Sequence, residues 1–162
     1  ESTIVDFTED VPVVLRPGYI SLEMLQEVLG DVRMDKGLIK PDSKVHPKAP
    51  GMKYRHYAPK ASVTVVRGDP QDTAKYIAAH IGDSTGVLCF DEYREMFPTC
   101  VVECFGSQDD LGAQAREVFD RLRAFDDTSV TQIWAQCPSD EGLGLAVANR
   151  IKKAAGFSVI EI

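Results

Sequence analysis

The stretch "SVTVVRGDPQDTAKYIAAHIG", residues 62–82, decides the fold class. Its apolar run of β-branched residues predicts a buried strand, and Asp69 followed by Pro70 is typical of a helix N-cap and first helical position. Apolar residues then recur at helical spacing, at Ala74, Ile77, Ala78 and Ile81. A buried strand that leads directly into an amphipathic helix predicts one unit of a parallel α/β sheet.

The rest of residues 61–162 repeats this alternation. Buried strands are predicted at "GVLCF" (86–90), "CVVECF" (100–105), "VTQIWAQ" (130–136) and "FSVIEI" (157–162). Helices are predicted from Asp109–Asp110 onward and from Leu143 to Ala155, where Gly156 ends the second one. The fold class is therefore α/β, with a Rossmann-like, mostly parallel sheet that carries helices on both faces.

Two shorter segments precede this domain. Residues 1–32 predict two strands and one helix, which Ser21 would cap and Gly30 would end. That is too little structure to fold independently. Residues 33–60 show neither helical nor strand periodicity and contain four prolines, so we expect an extended linker that is either a functional loop or disordered.

Charge divides along the same boundaries. The whole chain has a formal net charge of −7. Residues 1–32 hold one basic and seven acidic groups (−6), residues 33–60 eight basic and two acidic (+6), and residues 61–162 nine basic and sixteen acidic (−7). This pattern predicts a local anion site in the linker and argues against a protein that binds nucleic acid over its whole surface.

The chain has four cysteines, Cys89, Cys100, Cys104 and Cys137, each in an apolar, strand-like run. We expect free thiols that pack as small hydrophobic side chains, as in a cytoplasmic protein. No Cys or His motif supplies a complete metal-ligand set, and no apolar run is long enough for a membrane span. Because the first residue is Glu1, the sequence is expected to be a fragment.

Two motifs suggest ligands. "PGMKYRHYAPKA", residues 50–61, combines aromatic rings, a guanidinium and a histidine in an extended stretch, which suits a phosphorylated ligand. Packing against a neighbouring domain is the alternative for this stretch. "EGLGLA", residues 141–146, places two glycines at a helix start, where we favour tight helix packing over phosphate binding.

"ESTIVDFT" (1–8), "LRPGYIS" (15–21), the linker motif and "EGLGLAVANRIKKAA" (141–155) together resemble one family. The chain is similar to the long-form threonylcarbamoyl-AMP synthases, in which a linker joins a YrdC-like catalytic domain to a Rossmann-like C-terminal domain. The resemblance implies a remnant of the catalytic domain at 1–32, a basic linker at 33–60 and an accessory domain at 61–162. In that family the phosphate-binding Lys-x-Arg and the Ser-x-Asn signature belong to the part of the catalytic domain that would precede Glu1, so neither signature is expected in this chain.

The resemblance also implies the chemistry of a nucleotidyltransferase. The complete enzyme would condense L-threonine, bicarbonate and ATP, with Mg²⁺ as counter-ion, into L-threonylcarbamoyladenylate and release pyrophosphate. Partner enzymes in the cytoplasm would then transfer the threonylcarbamoyl group to tRNA, which this protein would meet only indirectly. This chain alone would be inactive, since no catalytic residue is assigned to it.

The resemblance carries two sets of site residues onto this chain. Ser2, Thr3 and Arg16 would contact ATP and threonine. The linker residues that would close over the active site are Lys53, Tyr54, Arg55, His56 and Tyr57. The alternative function is a non-catalytic Rossmann-like module that binds a nucleotide, tRNA or a partner protein.

Overall fold

A computed structural model describes residues 2–39 and 58–162. Residues 2–39 form a small N-terminal unit, and residues 58–162 form what we call the sheet domain. The elements of the N-terminal unit are β1 (Ile4–Asp6), β2 (Val13–Arg16), α1 (Leu22–Leu29), β3 (Arg33–Met34) and α2 (Lys36–Ile39). The first two strands pair antiparallel, and β3 adds to β2 in parallel.

Helix α1 has the ends that the sequence predicts. The Ser21 hydroxyl accepts a hydrogen bond from the backbone N–H of Met24, and Gly30 leaves the helix at φ 82°. The pairing of β3 with β2 was not predicted, because two residues are too few to show a period of either kind. Ordered structure therefore continues beyond residue 32, into the beginning of the segment predicted as a linker.

The sheet domain alternates strands and helices along the chain. Its elements are β4 (Ser62–Arg67), α3 (Pro70–His80), β5 (Thr85–Cys89), a 3₁₀ helix (Asp91–Met96), β6 (Val101–Cys104), α4 (Leu111–Ala124), a 3₁₀ turn (Phe125–Asp127), β7 (Gln132–Gln136), α5 (Gly142–Ala154) and β8 (Val159–Glu161). The five strands pair in the order β6-β5-β7-β4-β8, and every pairing is parallel. The predicted α/β fold with a parallel sheet is confirmed.

Two hydrophobic clusters cover the two faces of this sheet. One contains side chains of α4 and α5, among them Val118 and Ile151. The other contains side chains of α3, among them Ala74 and Ile77. Neighbouring strand residues alternate between the clusters, as the two-residue period of a strand requires. Helices therefore cover both faces, as predicted.

The cysteines are free, as predicted. Their positions differ in two cases from the predicted strands, because Cys100 lies just before β6 and Cys137 just after β7. Among residues 2–39 and 58–162, no helix combines the length and apolar composition needed to cross a membrane.

Candidate functional site

The antiparallel pair β1–β2 brings two of the predicted binding residues together. Arg16, the last residue of β2, donates from Nη2 to Ser2 Oγ over 2.9 Å and from Nε to the Ser2 carbonyl oxygen over 3.1 Å. Thr3 Oγ1 instead donates to the carbonyl oxygen of Ile20 at 2.7 Å. Ser2 therefore fixes the plane of the Arg16 guanidinium, while Thr3 fastens β1 to the loop before α1.

Local sequence explains why Arg16 stands at this strand end. Ile4 is its partner across the pair, with an irregularity between Ile4 and Val5, and Pro17 and Gly18 follow it as buried residues that end the strand. A half-buried guanidinium held by a hydroxyl and a carbonyl is suited to planar, bidentate recognition of a phosphate or carboxylate. This arrangement could orient an anionic substrate.

The predicted linker site lies outside the described residues. The structure does not describe the five residues of this site, which are Lys53, Tyr54, Arg55, His56 and Tyr57. Their arrangement relative to Arg16 therefore stays a prediction. Within residues 2–39 and 58–162, no group of three or more His, Cys, Asp or Glu side chains could hold a metal ion.

A second candidate location is a crevice of about 350 Å³ at the carboxyl edge of the five-stranded sheet. Residues at or after the carboxyl ends of all five strands line it, including Arg67 at the end of β4, Phe90 after β5, Ser139 after β7 and Glu161 at the end of β8. Parallel α/β sheets commonly bind ligands at this edge, where neighbouring connections leave toward opposite faces.

Ion pairs at this crevice join β4, β8 and α5. The Arg67 guanidinium donates to Asp140 and, over 2.6 Å, to Glu161 Oε1, and Lys152 Nζ lies 3.0 Å from Asp140 Oδ1. Burial works against the charge on Arg67, but the two carboxylates outweigh it and raise its pKa. These four groups balance one another in charge, so they leave no net positive charge for a phosphate.

Gln136, fully buried at the end of β7, joins three elements beneath this crevice. Its Oε1 accepts from the Phe90 N–H at 3.1 Å, and its Nε2 donates to the Pro70 carbonyl at 2.7 Å and to Thr73 Oγ1 at 2.9 Å. Both ends of the amide are therefore used. Gln136 holds the ends of β5 and β7 against the start of α3.

Of the two glycines of "EGLGLA", Gly144 serves packing. A Cβ on Gly144 would lie 2.5 Å from the Ser139 carbonyl oxygen and 3.3 Å from Leu111, so only glycine lets α5 pack this closely. The N–H of Gly142 already serves a carboxylate, that of Glu23 in α1. The Ser21 hydroxyl first of all, and the Gly142 N–H to a smaller extent, lower the pKa of Glu23. The packing interpretation is confirmed for Gly144. The contact of Gly142 with Glu23 joins the N-terminal unit to the sheet domain.

Sequence reasoning missed Arg67, Gln136 and Asp140. A signal was present, because all three stand at or just after the carboxyl ends of predicted parallel strands. Their pairing could not have been predicted, since β4, β7 and β8 are far apart in sequence and their order in the sheet is not encoded by local pattern.

Three comparisons with known proteins extend this geometry. Residues 20–156 match the family described as "Threonylcarbamoyl-AMP synthase, C-terminal domain". The Threonylcarbamoyl-AMP synthase of Bacillus subtilis is 39% identical over 162 residues, which cover 99% of this chain and 46% of the relative. Its counterpart from Pyrococcus abyssi is 39% identical over 168 residues, which cover 100% of this chain and 47% of the relative.

Two solved structures also match this chain over its full length. The crystal structure of P. abyssi Sua5 complexed with L-threonine matches all of this chain and 47% of the solved chain, with a TM-score of 0.86 and 37% identity. A variant of that protein, in which a histidine and the tyrosine after it are replaced by alanine, matches all of this chain and 46% of its own, with the same TM-score and identity. The chain spans about half the length of the curated relatives it matches.

Proposed function

Because this chain belongs to the family of threonylcarbamoyl-AMP synthase C-terminal domains, we propose that it is the C-terminal portion of an enzyme that makes L-threonylcarbamoyladenylate. The substrates are L-threonine, bicarbonate and ATP, and pyrophosphate is the second product. The observation that carries the proposal is the match over the whole chain to the P. abyssi protein solved with L-threonine. That match includes the N-terminal unit as well as the sheet domain.

The N-terminal unit is proposed to be part of the catalytic domain of the complete enzyme. Its helix α1 has an apolar side formed by Leu22, Leu25, Val28 and Leu29, of which Val28 is 82% and Leu29 is 42% exposed. An amphipathic helix normally buries that side against another element. The half of the relatives that this chain does not span would supply the covering element.

Ser2, Thr3 and Arg16 are proposed to contact ATP and threonine. In the proposed reaction a carbamate oxygen of N-carboxythreonine attacks the α-phosphorus of ATP, and pyrophosphate leaves. Arg16, held in place by Ser2, would face the phosphates or the ribose and stabilise the negative charge that develops there. Mg²⁺ would enter with ATP as its counter-ion. No residue of this chain is proposed to bind it.

The linker residues 53–57 are proposed to close over the active site and exclude water from the labile carbamate and adenylate. The support is compositional: residues 33–60 hold eight basic and two acidic groups. The P. abyssi variant with two alanines changes an adjacent histidine and tyrosine. This chain has one such adjacent pair, His56–Tyr57.

The product is proposed to pass to partner enzymes that transfer the threonylcarbamoyl group to tRNA. The charge of −7 over residues 61–162 favours an indirect encounter with tRNA, because direct phosphate contacts need clustered Lys and Arg. A cytoplasmic location is part of the proposal, since all four cysteines are free thiols.

The test is pyrophosphate release by the full-length protein that contains this chain, measured with and without threonine and bicarbonate. We expect release that depends on both. Arg16→Ala should lower kcat/KM by about 100-fold, the usual loss for one donor to a developing oxyanion. The matched control is Arg33→Ala, which changes an exposed arginine of the same unit paired with Asp31.

Each negative result of this assay would reject a different part of the proposal. Wild-type protein without threonine-dependent release would reject the proposed function. Unchanged kinetics in Arg16→Ala would leave the function intact and remove Arg16 from the site. Turnover by residues 1–162 alone would contradict the proposal that the chain is one part of the enzyme.

The linker role has its own test in the same assay. Replacement of both Arg55 and His56 by alanine should reduce threonine-dependent pyrophosphate release, because water then reaches the labile carbamate, which decomposes to threonine and bicarbonate before it attacks ATP. Lys44→Ala, in the same basic segment but outside residues 53–57, is the control. Equal kinetics in the double variant and the control would contradict the proposed closure.

A further inference from the structure

Two cysteine thiols face each other across neighbouring strands at the carboxyl edge of the sheet. Cys89 is the last residue of β5, Cys104 is the last residue of β6, and they are register partners in the parallel pairing. Their Sγ atoms lie 3.9 Å apart. Neighbouring strands are spaced by about 4.8 Å, within the Cα separation of about 4.4–6.8 Å that disulfides span. A bond between the two sulfurs therefore needs no rearrangement of the sheet.

The surroundings of the two thiols differ in a way that assigns each a role. Cys104 is half-buried, and Nη1 of the exposed Arg94 lies 3.6 Å from its sulfur. Arg94 therefore places a positive charge beside the more accessible of the two sulfurs. Arg94 belongs to the 3₁₀ helix that follows β5, so the fold itself delivers this charge to the end of β6.

Cys89 has the opposite surroundings. It is fully buried in the cluster on the α3 side of the sheet, and burial raises the pKa of its thiol. A thiol in that position is protected from reagents in solution and is close to one partner, the sulfur of Cys104. These are the properties of a resolving cysteine.

We propose that Cys104 and Cys89 form a reversible, oxidant-sensitive dithiol pair in which Cys104 reacts with a hydroperoxide and Cys89 closes an intramolecular disulfide. This proposal is independent of the function proposed above. The other two cysteines are not part of the pair, since Cys137 packs in the cluster on the opposite face and Cys100 precedes β6.

The two steps balance with hydrogen peroxide as oxidant. The Cys104 thiolate attacks one peroxide oxygen, the O–O bond breaks, and the departing hydroxide takes a proton to give water and a sulfenic acid. The Cys89 sulfur then attacks the Cys104 sulfur and loses its proton, the S–O bond breaks, and a second water leaves. The thiols lose two electrons in total, and the peroxide gains them. A dithiol reductant reverses the change.

The experiment exposes the 162-residue chain to equimolar hydrogen peroxide, alkylates the remaining thiols after denaturation, and identifies the products by peptide mass spectrometry. We expect one linked pair, Cys89 with Cys104, while Cys100 and Cys137 carry the alkyl label. Dithiothreitol should restore four alkylatable thiols. Trypsin cuts between Cys89 and Cys104 at Arg94, and a glutamate-specific protease cuts between Cys100 and Cys104 at Glu103.

Variants test the role of each group. Cys104→Ser should abolish the linkage, and Cys137→Ser should leave it unchanged. Arg94→Ala should slow disulfide formation several-fold at neutral pH, and Arg94→Lys should restore most of the rate, because a positive charge is kept. Arg123→Ala, an exposed arginine of α4, is the matched control. The arginine variants keep both thiols, so the proposal remains testable even if Cys104→Ser does not fold.

Three results would overturn the proposal. In the first, all four thiols remain alkylatable after the treatment with hydrogen peroxide. Another is a disulfide that involves Cys100 or Cys137. The third is Cys104 oxidised to sulfinic acid while Cys89 remains alkylatable. An unchanged rate in Arg94→Ala would remove the guanidinium from the mechanism.

Discussion

The N-terminal unit and the sheet domain bury their apolar side chains to different extents. The two hydrophobic clusters found among residues 2–39 and 58–162 lie within the sheet domain. Of the nine large hydrophobic side chains that are exposed among the described residues, six belong to residues 2–39, although this unit is the smaller of the two. The sheet domain thus completes its own core, whereas the N-terminal unit presents an apolar surface typical of a site that another element covers.

The family match and the proposed active site do not coincide. Residues 20–156, which match the family, are mainly the self-contained sheet domain. The side chains that suit an anionic substrate, Ser2 and Arg16, stand in the unit that carries six of these nine exposed hydrophobic side chains. The proposed chemistry therefore uses side chains of the N-terminal unit, whose apolar surface is left exposed in this chain.

The largest predicted effect compares two phenylalanines. Phe105 is fully buried with its ring 5.0 Å from that of Phe90, and Phe7 is 63% exposed. Phe105→Ala should lower the free energy of unfolding by about 3–5 kcal/mol, whereas Phe7→Ala should change it by less than about 0.5 kcal/mol. Urea unfolding followed by the fluorescence of Trp134, the one tryptophan, measures both.

This comparison fails if Phe7→Ala costs as much as Phe105→Ala in the 162-residue chain. It becomes sharper in the full-length protein. There Phe7→Ala should become clearly destabilising if the additional part of the enzyme covers this surface.

The next effect compares two glutamines that donate to backbone carbonyls. Gln136 is buried and makes three hydrogen bonds, whereas Gln26 is exposed and its Nε2 donates to Val32 at 3.1 Å. Gln136→Leu should cost about 1–3 kcal/mol, because it leaves buried polar groups unpaired. Gln26→Leu should cost about 0.5 kcal/mol or less, since water replaces the lost bond. Equal losses in the same unfolding measurement would contradict this difference.

The smallest effect concerns the contact between the two regions. The pKa of Glu23 is lowered, first by the Ser21 hydroxyl and to a smaller extent by the Gly142 N–H, so its contribution is present above its unfolded pKa of about 4.3. That contribution is lost as the pH falls through the lower, folded pKa. Because Glu23 is exposed, Glu23→Gln should cost only a few tenths of a kcal/mol at pH 7, about the value of surface pairs.

Unfolding curves at pH 7 and pH 3 check this expectation, with the exposed Glu27→Gln on the same helix as control. Wild type and Glu23→Gln should differ at pH 7 and converge at pH 3. If the difference in the free energy of unfolding between wild type and Glu23→Gln grew as the pH fell, ionised Glu23 would not be the stabilising form.

The sequence predicted the parts of the fold that depend on local pattern. Asp69 caps α3 and Asp110 caps α4, and the five strands of the sheet domain appear where apolar runs stand. The resemblance named Ser2 and Arg16 as members of one site, and the antiparallel pair places them in contact.

The sequence alone does not predict the order of the strands in the sheet or the contacts between residues far apart in the chain. The bonds of Gln136 reach residues 46 to 66 positions away, and the bond from Arg67 to Glu161 spans 94 positions. The contact of Cys89 with Cys104 likewise depends on β6 lying beside β5. No periodicity or capping residue encodes such choices, because they are decided by which strands pair in the completed sheet.

The strand order β6-β5-β7-β4-β8 has a consequence for how this molecule folds. β4 is the first strand of its sheet, yet its neighbours are the last two, β7 and β8. Contacts between residues so far apart in sequence form slowly, because the intervening chain must first close a large loop. Until then the hydrogen-bonding edges of β4 remain unpaired and available to other chains. Folding of the sheet domain is therefore expected to be a late, concerted event, with aggregation through β4 as its main competitor.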